Sequence, residues 1–310
     1  MILSVDLNPV LNKWMEINSN SNDSSSFSAD NEVMIPGDGG AYLSLILSLL
    51  NEESTITGFL GGPTGSFIRE YLVDSGVVDS LVAIGDNSPE RLILGFNDRE
   101  IVVSQKGVEI SRDEITLFHR KFKEGLNNCE LVCLCGEYPL NMPEDMPMDI
   151  LHLTSEWGRR MLISPRKDAL LEVVEGAPFL IVLDVESMEK LTNLKLEYEG
   201  ELIRASQYLF QNDISFVIID RGENGLLVMN SETGVSMSLE NESLNSGRFM
   251  HGGLLAGFAT GMRRKYDFET TSRLSFACGS LDFRRIDGRP DMTDIKALMN
   301  KIDIRKFHNL

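Results

Sequence analysis

Four clusters of glycine residues have the spacing that suits chemistry on a phosphate. They lie at Pro36–Gly40, Gly58–Gly65, Asp220–Gly225 and His251–Phe258. Glycine lets backbone N–H groups approach an anion closely, and the N-terminus of a following helix adds partial positive charge. The stretch GFLGGPTG at Gly58–Gly65 is not a Walker A loop, because no Gly-Lys-Ser/Thr follows it. Taken alone, Asp220–Gly225 is also compatible with a plain hairpin.

The elements that must position these clusters alternate between strand and helix. The predicted strands are Met1–Leu7, Thr55–Phe59, Leu131–Cys135, Arg160–Ile163, Phe179–Leu183 and Phe216–Ile219. The predicted helices between them are Ala41–Leu50, Ser66–Asp74, Arg112–Leu126, Met148–Trp157, Asp168–Val174 and Gly200–Gln211. This alternation predicts an α/β fold with a mainly parallel sheet and helices on both faces. Ligands of such folds bind beyond the carboxyl ends of the strands.

Two segments depart from the alternation. Residues 10–35 and 88–106 are β-like without a crossover helix, and we expect them to form a small antiparallel lid over the main sheet. The polar, low-complexity stretch Ser19–Asp30 is predicted to be a mobile loop. The C-terminal third is predicted to be helical, at Gly252–Met262, Glu269–Leu281 and Met292–Ile302. We interpret residues 1–310 as one domain.

Composition excludes several classes of protein. The chain has 310 residues and a formal net charge of −18, with 42% apolar residues, which is typical of a globular protein. Such acidity argues against nucleic acid or an anionic membrane as a partner, because both require clustered Lys and Arg. No apolar run reaches the roughly 20 residues that a membrane span needs. Met1–Leu7 has no basic region before it and is interpreted as a buried strand, so we expect a cytoplasmic protein.

The cysteines and histidines show no metal-binding pattern. Cys133 and Cys135 alternate within a strand-like run, which indicates buried free thiols. Four cysteines in a chain of 310 residues do not form a disulfide framework. The four histidines occupy no C-x-x-C or H-x-x-x-H spacing, so we predict no structural metal.

Five segments in order carry a resemblance to a known family. Ile2–Asn12 is similar to ILTVTLNPALD, Gly58–Gly65 matches GFLGGxTG, Gly136–Pro139 is similar to GSLP, Asp220–Gly225 to SxGxxG, and Ser246–Phe258 to NTVGAGDSxVAGF. Together they resemble the ribokinase-like carbohydrate kinases, the PfkB family, and most of all its fructose-1-phosphate and tagatose-6-phosphate kinase branch. The match extends from residue 1 to about residue 285.

The resemblance implies a three-layer αβα sandwich with a small β-sheet lid that often mediates dimers. It implies transfer of the ATP γ-phosphate to a sugar hydroxyl, with magnesium neutralising the phosphates. The expected ligands are therefore ATP, Mg²⁺ and a small sugar or phosphate, and a second copy of the chain is a possible partner through the lid. Asp220, Gly222 and Gly225 correspond to the nucleotide loop of the family.

The catalytic positions depart from the family pattern. The aspartate of GAGD, which takes the hydroxyl proton in the family, falls on Gly252, which has no side chain to accept one. Gly252 and Gly253 can still offer N–H groups to an anion. His251 is a candidate base from the neighbouring position; the alternative is that it packs or faces solvent.

The sugar-binding positions are altered as well. In the family's GGKGxN, the lysine becomes Gly39 and the asparagine becomes Tyr42. Gly37 is retained, and Asp38 adds negative charge where a sugar phosphate would lie. The aspartate of LNPALD becomes Asn12, which can still form hydrogen bonds.

The magnesium and phosphate positions follow the same trend. The glutamate of KPNxxE falls on Ser187, which leaves Asp184 as a candidate ligand through a water molecule. The aspartate of DTSG falls on Ser164. Arg166 and Lys167 are either phosphate contacts or a solvated pair at a helix start.

Three functional hypotheses follow from this pattern. The first is a homologue of sugar-phosphate kinases with impaired catalysis that retains nucleotide or metabolite binding. The second is an active carbohydrate kinase with a rearranged site and an unusual substrate that is less acidic than a sugar phosphate. The third is a regulatory or scaffold protein whose lid or surface binds another protein.

Overall fold

The computed structural model describes residues 1–17, 28–37, 39–96, 99–239, 250–283 and 290–308. The strands are β1 (Ile2–Asp6), β2 (Leu11–Ile17), β3 (Ala29–Pro36), β4 (Ser54–Gly61), β5 (Val78–Asp79), β6 (Val82–Ile84), β7 (Glu90–Phe96), β8 (Arg99–Ser104), β9 (Leu131–Cys135), β10 (Arg160–Ser164), β11 (Leu180–Asp184), β12 (Phe216–Asp220), β13 (Leu226–Met229), β14 (Thr233–Leu239) and β15 (Ile302–His308). The α-helices are α1 (Gly40–Leu49), α2 (Gly62–Asp74), α3 (Arg112–Asn128), α4 (Met146–Glu156), α5 (Leu170–Glu175), α6 (Val185–Thr192), α7 (Glu199–Ala205), α8 (Gln207–Gln211), α9 (His251–Arg263), α10 (Phe268–Gly279) and α11 (Met292–Lys301).

The main sheet is parallel through its centre and antiparallel at one edge. Its strand order is β15-β14-β13-β12-β11-β10-β9-β1-β4-β5, and β6 also pairs with β4. The strands from β12 to β5 are parallel, whereas β13, β14 and β15 extend the sheet in antiparallel register. The predicted α/β class with a mainly parallel sheet is confirmed.

Helices cover both faces of this sheet. Strands β1 and β9 are buried at every residue, as expected for parallel strands covered on two sides. One apolar cluster packs α1, α2, α9, α10 and α11 on one face, and a second packs α3 to α8 on the other. The result is three layers, as predicted. Within the described ranges, no helix is long and apolar enough to cross a bilayer.

A separate sheet of four strands lies beside the carboxyl ends of the main strands. Its order is β3-β2-β7-β8, and we call it the small sheet. The prediction that it is purely antiparallel is wrong, because β2 pairs with β7 in parallel. The chain explains this difference: β1 leads directly into β2, and β6 leads directly into β7. Since β1 and β6 run in the same direction in the main sheet, their continuations enter the small sheet in the same direction.

The C-terminal third is less helical than predicted. Its three helices are present, but β13, β14 and β15 form an antiparallel edge that the sequence reading missed. In Ile302–His308, buried or half-buried positions alternate with exposed ones only as far as Arg305, a strand periodicity that is too short to stand out. The predicted mobile loop Ser19–Asp30 falls mostly on residues 18–27, outside the described ranges, and its last two residues begin β3.

All four cysteines are buried free thiols, as the alternation of Cys133 and Cys135 predicted. Burial raises the pKa of the Cys133 thiol far above its ordinary value. Cys278 lies in α10 and its pKa is raised by the same effect. These thiols therefore act as small apolar core groups and not as nucleophiles.

Candidate functional site

The candidate site lies where the carboxyl ends of the parallel strands meet the N-termini of α1 and α9. Polar residues end or follow these strands: Asp6 on β1, Gly136 and Glu137 after β9, Ser164 on β10, Asp184 on β11 and Asp220 on β12. This is the edge at which ligands bind in folds of this class.

Described residues line three cavities at this edge. The acid-lined cavity has a volume of about 440 Å³ and is lined by Asp6, Asn8, Val10, Gly37, Gly39, Arg91, Ile93, Glu100, Val102, Ser104, Gly136 and Glu137. The apolar cavity, about 310 Å³, is lined by Asn12, Trp14, Ile35, Tyr42, Ile93, Glu100, Val102, Met250, Leu281, Asp282 and Phe283. The strand-end cavity, about 490 Å³, is lined by Cys135, Gly136, Glu137, Pro165, Arg166, Lys167, Asp168, Val182, Leu183, Asp184, Ser187 and His251.

Gly252 lies in the first turn of α9, against the start of α1. A Cβ atom at this position would lie 2.7 Å from the carbonyl oxygen of Gly39 and 3.2 Å from the amide nitrogen of Leu43. Both atoms belong to the backbone, so neither can move aside as a side chain would. An aspartate at position 252 therefore requires the two helix starts to separate.

Asp6 is a site residue that the sequence reading missed. Its carboxylate is buried and accepts hydrogen bonds from the amides of Ala41 at 2.8 Å and Asn8 at 3.3 Å. A Cβ atom at Gly39 would lie 2.6 Å from Asp6 Oδ2, so this carboxylate blocks a side chain at that position. The signal was present in the sequence: an acidic residue replaces the threonine of ILTVTLNPALD within a buried strand.

The other proposed sugar contacts are divided between the acid-lined cavity and the apolar cavity, which both include residues of the small sheet. Gly37 and Gly39 line the acid-lined cavity, and Asn12 and Tyr42 line the apolar cavity. The Tyr42 hydroxyl donates to the carbonyl of Leu281 at 3.0 Å, so the tyrosine closes the space that a shorter asparagine would leave. Asp38 lies outside the described residues.

His251 has polar partners at two strand ends. Its Nδ1 lies 2.8 Å from Ser164 Oγ, and its Nε2 lies 3.3 Å from Asp220 Oδ2. Asp220 is in turn held by the amide of Gly222, which donates to Oδ1 at 2.7 Å. His251 therefore has hydrogen-bond partners at both ring nitrogens, and its role as a base stays a prediction. Sequence alone could not reveal this, because Ser164 and His251 are 87 positions apart.

The nucleotide-loop candidates form a tight turn between β12 and β13. Gly222 and Gly225 both have positive φ, at 58° and 83°, which favours glycine. A Cβ atom at Gly225 would lie 1.9 Å from the carbonyl oxygen of Met237. Asp220 occupies the position of the family's serine. Its carboxylate already accepts a hydrogen bond from the Gly222 amide, which an incoming phosphate would need as a donor.

Asp184 caps the N-terminus of α6. It accepts from the Ser187 amide at 2.7 Å and lies 3.5 Å from Lys167 Nζ. Burial acts to raise the pKa of Asp184, but the hydrogen bonds from Ser187 and the charge of Lys167 outweigh it and lower that pKa. The residue is therefore ionised at neutral pH and open to the strand-end cavity, with 38% of its side chain exposed.

The two basic residues of the strand-end cavity are both paired with carboxylates. Arg166 bonds to both carboxylate oxygens of Asp168, at 3.0 and 2.6 Å. Lys167 bonds to Glu186 in addition to its approach to Asp184. A phosphate entering this cavity would have to compete with these acids.

The turn at Gly58–Gly65 is also satisfied internally. The Gly61 amide donates to Ser88 Oγ at 3.1 Å, and the Thr64 amide donates to Asn87 Oδ1 at 3.4 Å. These bonds fix the start of α2 against the β6–β7 connection. The turn, which matches the family motif, thus stabilises the fold through its own hydrogen bonds, and we place no ligand there.

Asp184 is the residue that fits a magnesium ion in part. Mg²⁺ takes oxygen ligands and commonly uses only one or two carboxylates together with substrate phosphates. One oxygen of Asp184 is committed to Ser187, and the other faces Lys167. Among the described residues, no group of three His, Cys, Asp or Glu side chains could hold a metal.

Comparison with known proteins agrees with this architecture. The family model described as pfkB family carbohydrate kinase matches residues 14–293. The chain belongs to this family. The pfkB-family chain is 28% identical to 1-phosphofructokinase of Borreliella burgdorferi over 227 residues, which is 73% of each sequence.

Solved structures show the same fold at lower identity. Phosphofructokinase-2 of Escherichia coli, in complex with substrates and products, superposes with a TM-score of 0.85 at 17% identity, covering 96% of this chain and 98% of that one. A possible 1-phosphofructokinase from Thermotoga maritima gives 0.84 at 18% identity, covering 99% of both chains. These neighbours confirm the ribokinase-like fold of this pfkB-family chain.

Proposed function

We propose that this pfkB-family chain binds a nucleotide and a small metabolite but transfers phosphate to sugar phosphates poorly or not at all. The observation that carries the proposal is the contact between Gly252 and Gly39. The position that supplies the proton acceptor in the family has no side chain, and the space for one is filled by backbone. General-base catalysis typically contributes roughly 10²–10⁴-fold to a rate, so its loss alone is severe.

Buried or capped carboxylates at the anion positions support the same proposal. Each of three carboxylates accepts a hydrogen bond from a backbone amide: Asp6 from Ala41 at the start of α1, Asp184 from Ser187 at the start of α6, and Asp220 from Gly222. Helix starts and glycine turns attract anions, and each of these three already holds a carboxylate from the protein itself. A sugar phosphate would meet repulsion from these carboxylates and would have to compete with them for the amides.

Turnover is the direct test. Purified protein is mixed with ATP, Mg²⁺ and one candidate acceptor at a time: fructose 1-phosphate, fructose 6-phosphate, tagatose 6-phosphate or a nucleoside. We expect ADP release no faster than the background without acceptor. The 1-phosphofructokinase of Borreliella burgdorferi serves as the positive control. Robust release of ADP with any of the sugar phosphates would contradict the proposal.

Nucleotide binding needs a separate measurement. Asp220, Gly222, Gly225 and Asp184 are the residues we assign to ATP and magnesium, and Gly253 is a further candidate amide at the start of α9. Millimolar ATP with Mg²⁺ should raise the melting temperature, because a ligand that binds only the folded state stabilises it. Asp184→Asn should reduce the shift produced by ATP with Mg²⁺ more than the shift produced by ATP alone. No shift under either condition would remove the nucleotide from the proposal.

A second candidate is an active kinase with a rearranged site, and one observation favours it. His251 is held by Asp220 at the mouth of the strand-end cavity, as a base held by a carboxylate would be. In this case, an acceptor with less negative charge than a sugar phosphate would lose its hydroxyl proton to His251. Turnover with a nucleoside that disappears in His251→Gln would establish this candidate over the first.

A role in association is a third candidate. The edge strand β8 exposes Ile101, Val102 and Val103 by 53%, 53% and 56%, and an apolar exposed edge strand favours pairing with another chain. Phosphofructokinase-2 of Escherichia coli has a tetrameric inhibited form. A homodimer through the small sheet of this chain would appear as twice the chain mass in light scattering, and Val103→Lys should reduce it to a monomer.

A further inference from the structure

Ser164, His251 and Asp220 form a hydrogen-bonded chain at the carboxyl edge of the main sheet. Ser164 Oγ lies 2.8 Å from His251 Nδ1, and His251 Nε2 lies 3.3 Å from Asp220 Oδ2. A hydroxyl beside an imidazole that a carboxylate orients is the arrangement that activates a serine as a nucleophile. The proposed function gives Ser164 no role.

The alternation of the strands explains why the three side chains meet. In β10, Leu162 packs in the apolar cluster of α9 and Ile163 packs in the cluster on the opposite face, so Ser164 returns to the face of α9. The residues before Asp220 in β12 divide in the same way, which places Asp220 on that face as well. Strand β11 separates the two strands, and His251, the first residue of α9, spans the gap between them.

The carboxylate of Asp220 selects the tautomer of the ring. A carboxylate oxygen beside Nε2 favours the proton on that nitrogen, because two acceptors would otherwise face each other. Nδ1 is then left with a lone pair that faces the Ser164 hydroxyl. The other oxygen of Asp220 accepts from the Gly222 amide at 2.7 Å, so the carboxylate is held in this orientation.

The serine lies beside a cavity that can hold a substrate. Ser164 is half-buried, and its chain neighbour Pro165 and its sheet neighbour Cys135 both line the strand-end cavity of about 490 Å³. His251 lines this cavity too, with 22% of its side chain exposed. The N-terminus of α9 adds partial positive charge here, which favours negative charge on a reacting carbonyl oxygen.

We propose that this chain hydrolyses small carboxylic esters in the strand-end cavity, with Ser164 as the nucleophile, His251 as the general base and Asp220 as the positioning residue. Ser164 Oγ forms a bond to the ester carbonyl carbon while its proton passes to His251 Nδ1. His251 returns this proton to the departing alcohol oxygen as the C–O bond breaks, which leaves the acyl group on Ser164. Water then attacks the acyl group with the same help from His251, and the carboxylic acid is released. The inference goes beyond the proposed function, because it requires neither nucleotide nor magnesium.

Hydrolysis of p-nitrophenyl acetate by the full chain, without ATP or Mg²⁺, tests the proposal. We expect saturable release of p-nitrophenol. Ser164→Ala and His251→Gln should each lower kcat/KM by about 100-fold or more, the loss expected when general-base catalysis is removed. Ser155→Ala and His152→Gln are the matched controls, since both residues lie exposed on α4, and they should leave the rate unchanged.

A covalent probe identifies the nucleophile in the unmodified chain, whether or not the variants fold. Diisopropyl fluorophosphate transfers its phosphoryl group to an activated serine with loss of fluoride, and mass spectrometry of proteolytic peptides locates the label. We expect a single label, at Ser164. The label should be absent in His251→Gln and unchanged in His152→Gln.

The role of Asp220 has its own measurement. Asp220→Asn should lower kcat about 100-fold and leave KM unchanged, because an asparagine no longer favours the proton on Nε2. A merely structural role for Asp220 would instead lower the melting temperature or raise KM with kcat intact.

Three results would overturn the proposal: no saturable release of p-nitrophenol, an unchanged rate in Ser164→Ala, or a phosphoryl label at residues other than Ser164. The outcome is separable from that of the proposed function, which is decided by ADP release with a sugar phosphate. Ser164→Ala also separates ester hydrolysis from phosphate transfer to a nucleoside, which would use His251 but not Ser164.

Discussion

The acid-lined cavity and the apolar cavity lie under the same small sheet, yet they differ in what they already contain. They share Ile93, Glu100 and Val102. In the acid-lined cavity, the charged lining residues are Asp6, Glu100, Glu137 and Arg91, so acids outnumber bases by three to one. In the apolar cavity, polar atoms are few, and two of them are buried without partners.

The two linings differ in how much binding free energy they leave to a ligand. In the acid-lined cavity, Asp6 has taken the amides that an anion would use, so a phosphate gains little by entering. In the apolar cavity, Tyr42, Ile93 and Phe283 leave apolar surface that a ligand can bury.

The largest effect is expected from Gly252→Asp, which disrupts the contact between the starts of α1 and α9. Overpacking of a rigid site costs about 1–3 kcal/mol, and the backbone atoms of Gly39 and Leu43 against Gly252 place this substitution at the upper end. Chemical denaturation should show this loss of unfolding free energy, and no sugar-phosphate kinase activity should appear. Gly200→Asp is the control, because a Cβ atom there meets only Arg204 Nη1 at 3.9 Å. Kinase activity in the Gly252→Asp variant would show that the closed contact is not what prevents turnover.

Asp6→Asn should have the next largest effect. The substitution keeps the shape but weakens two hydrogen bonds to a charged acceptor, so the unfolding free energy should fall by about 1–2 kcal/mol. It also removes one negative charge from the acid-lined cavity alone. Affinity for fructose 1-phosphate, measured by calorimetry, should rise. An unchanged affinity would show that the Asp6 charge does not exclude this anion from the acid-lined cavity.

Tyr42→Phe perturbs the apolar cavity instead. It deletes the hydroxyl that donates to Leu281 and leaves a carbonyl without that donor, at a cost of about 1 kcal/mol. Denaturation should detect this loss of unfolding free energy. An unchanged stability would mean that solvent replaces the lost donor and that the wall is open.

The smallest effect on unfolding free energy is expected in the small sheet, which lines the acid-lined and apolar cavities. The hydrogen bond from Lys13, helped by one from Thr64, outweighs burial and lowers the pKa of Glu90 below its ordinary 4.5. A carboxyl whose folded pKa is depressed stabilises the fold above its unfolded pKa and loses that contribution as the pH falls through the folded value. Unfolding free energy should therefore decline below about pH 4.5, and less steeply in Glu90→Gln.

Glu16→Gln is the matched control, since Glu16 lies exposed on the same small sheet. Acid titration of that variant should follow the unmodified chain. If Glu90→Gln also follows it, the Lys13–Glu90 pair does not stabilise the small sheet.

The centre of the fold could be predicted from sequence because its signals are local. Strands such as Leu131–Cys135 are continuous apolar runs between helical segments, and each is observed within three residues of its predicted bounds. The antiparallel edge was missed because β15 forms by pairing with β14. The paired residues lie about 70 positions apart in the sequence. Pairing across such distances leaves little trace in a single sequence.

The site was predictable in place but not in its contacts. The glycine clusters and the substitution at Gly252 could be located by motif, and the structure brings them to one edge of the main sheet. What the motifs did not reveal is which groups face each other: Asp6 against Gly39, or His251 between Ser164 and Asp220. Such pairs depend on packing between elements. A substitution relative to the family motif can therefore be interpreted only when the residue that contacts it is known.

The contact between Gly252 and Gly39 limits which single substitutions this part of the fold accepts. An aspartate at position 252 meets the backbone carbonyl of Gly39, whereas a lysine at position 39 meets the side-chain carboxylate of Asp6. Neither substitution relieves the other, because the carbonyl of residue 39 stays in place whatever its side chain. A side chain at position 252 therefore requires a shift of the backbone, whereas one at position 39 requires only a change at Asp6.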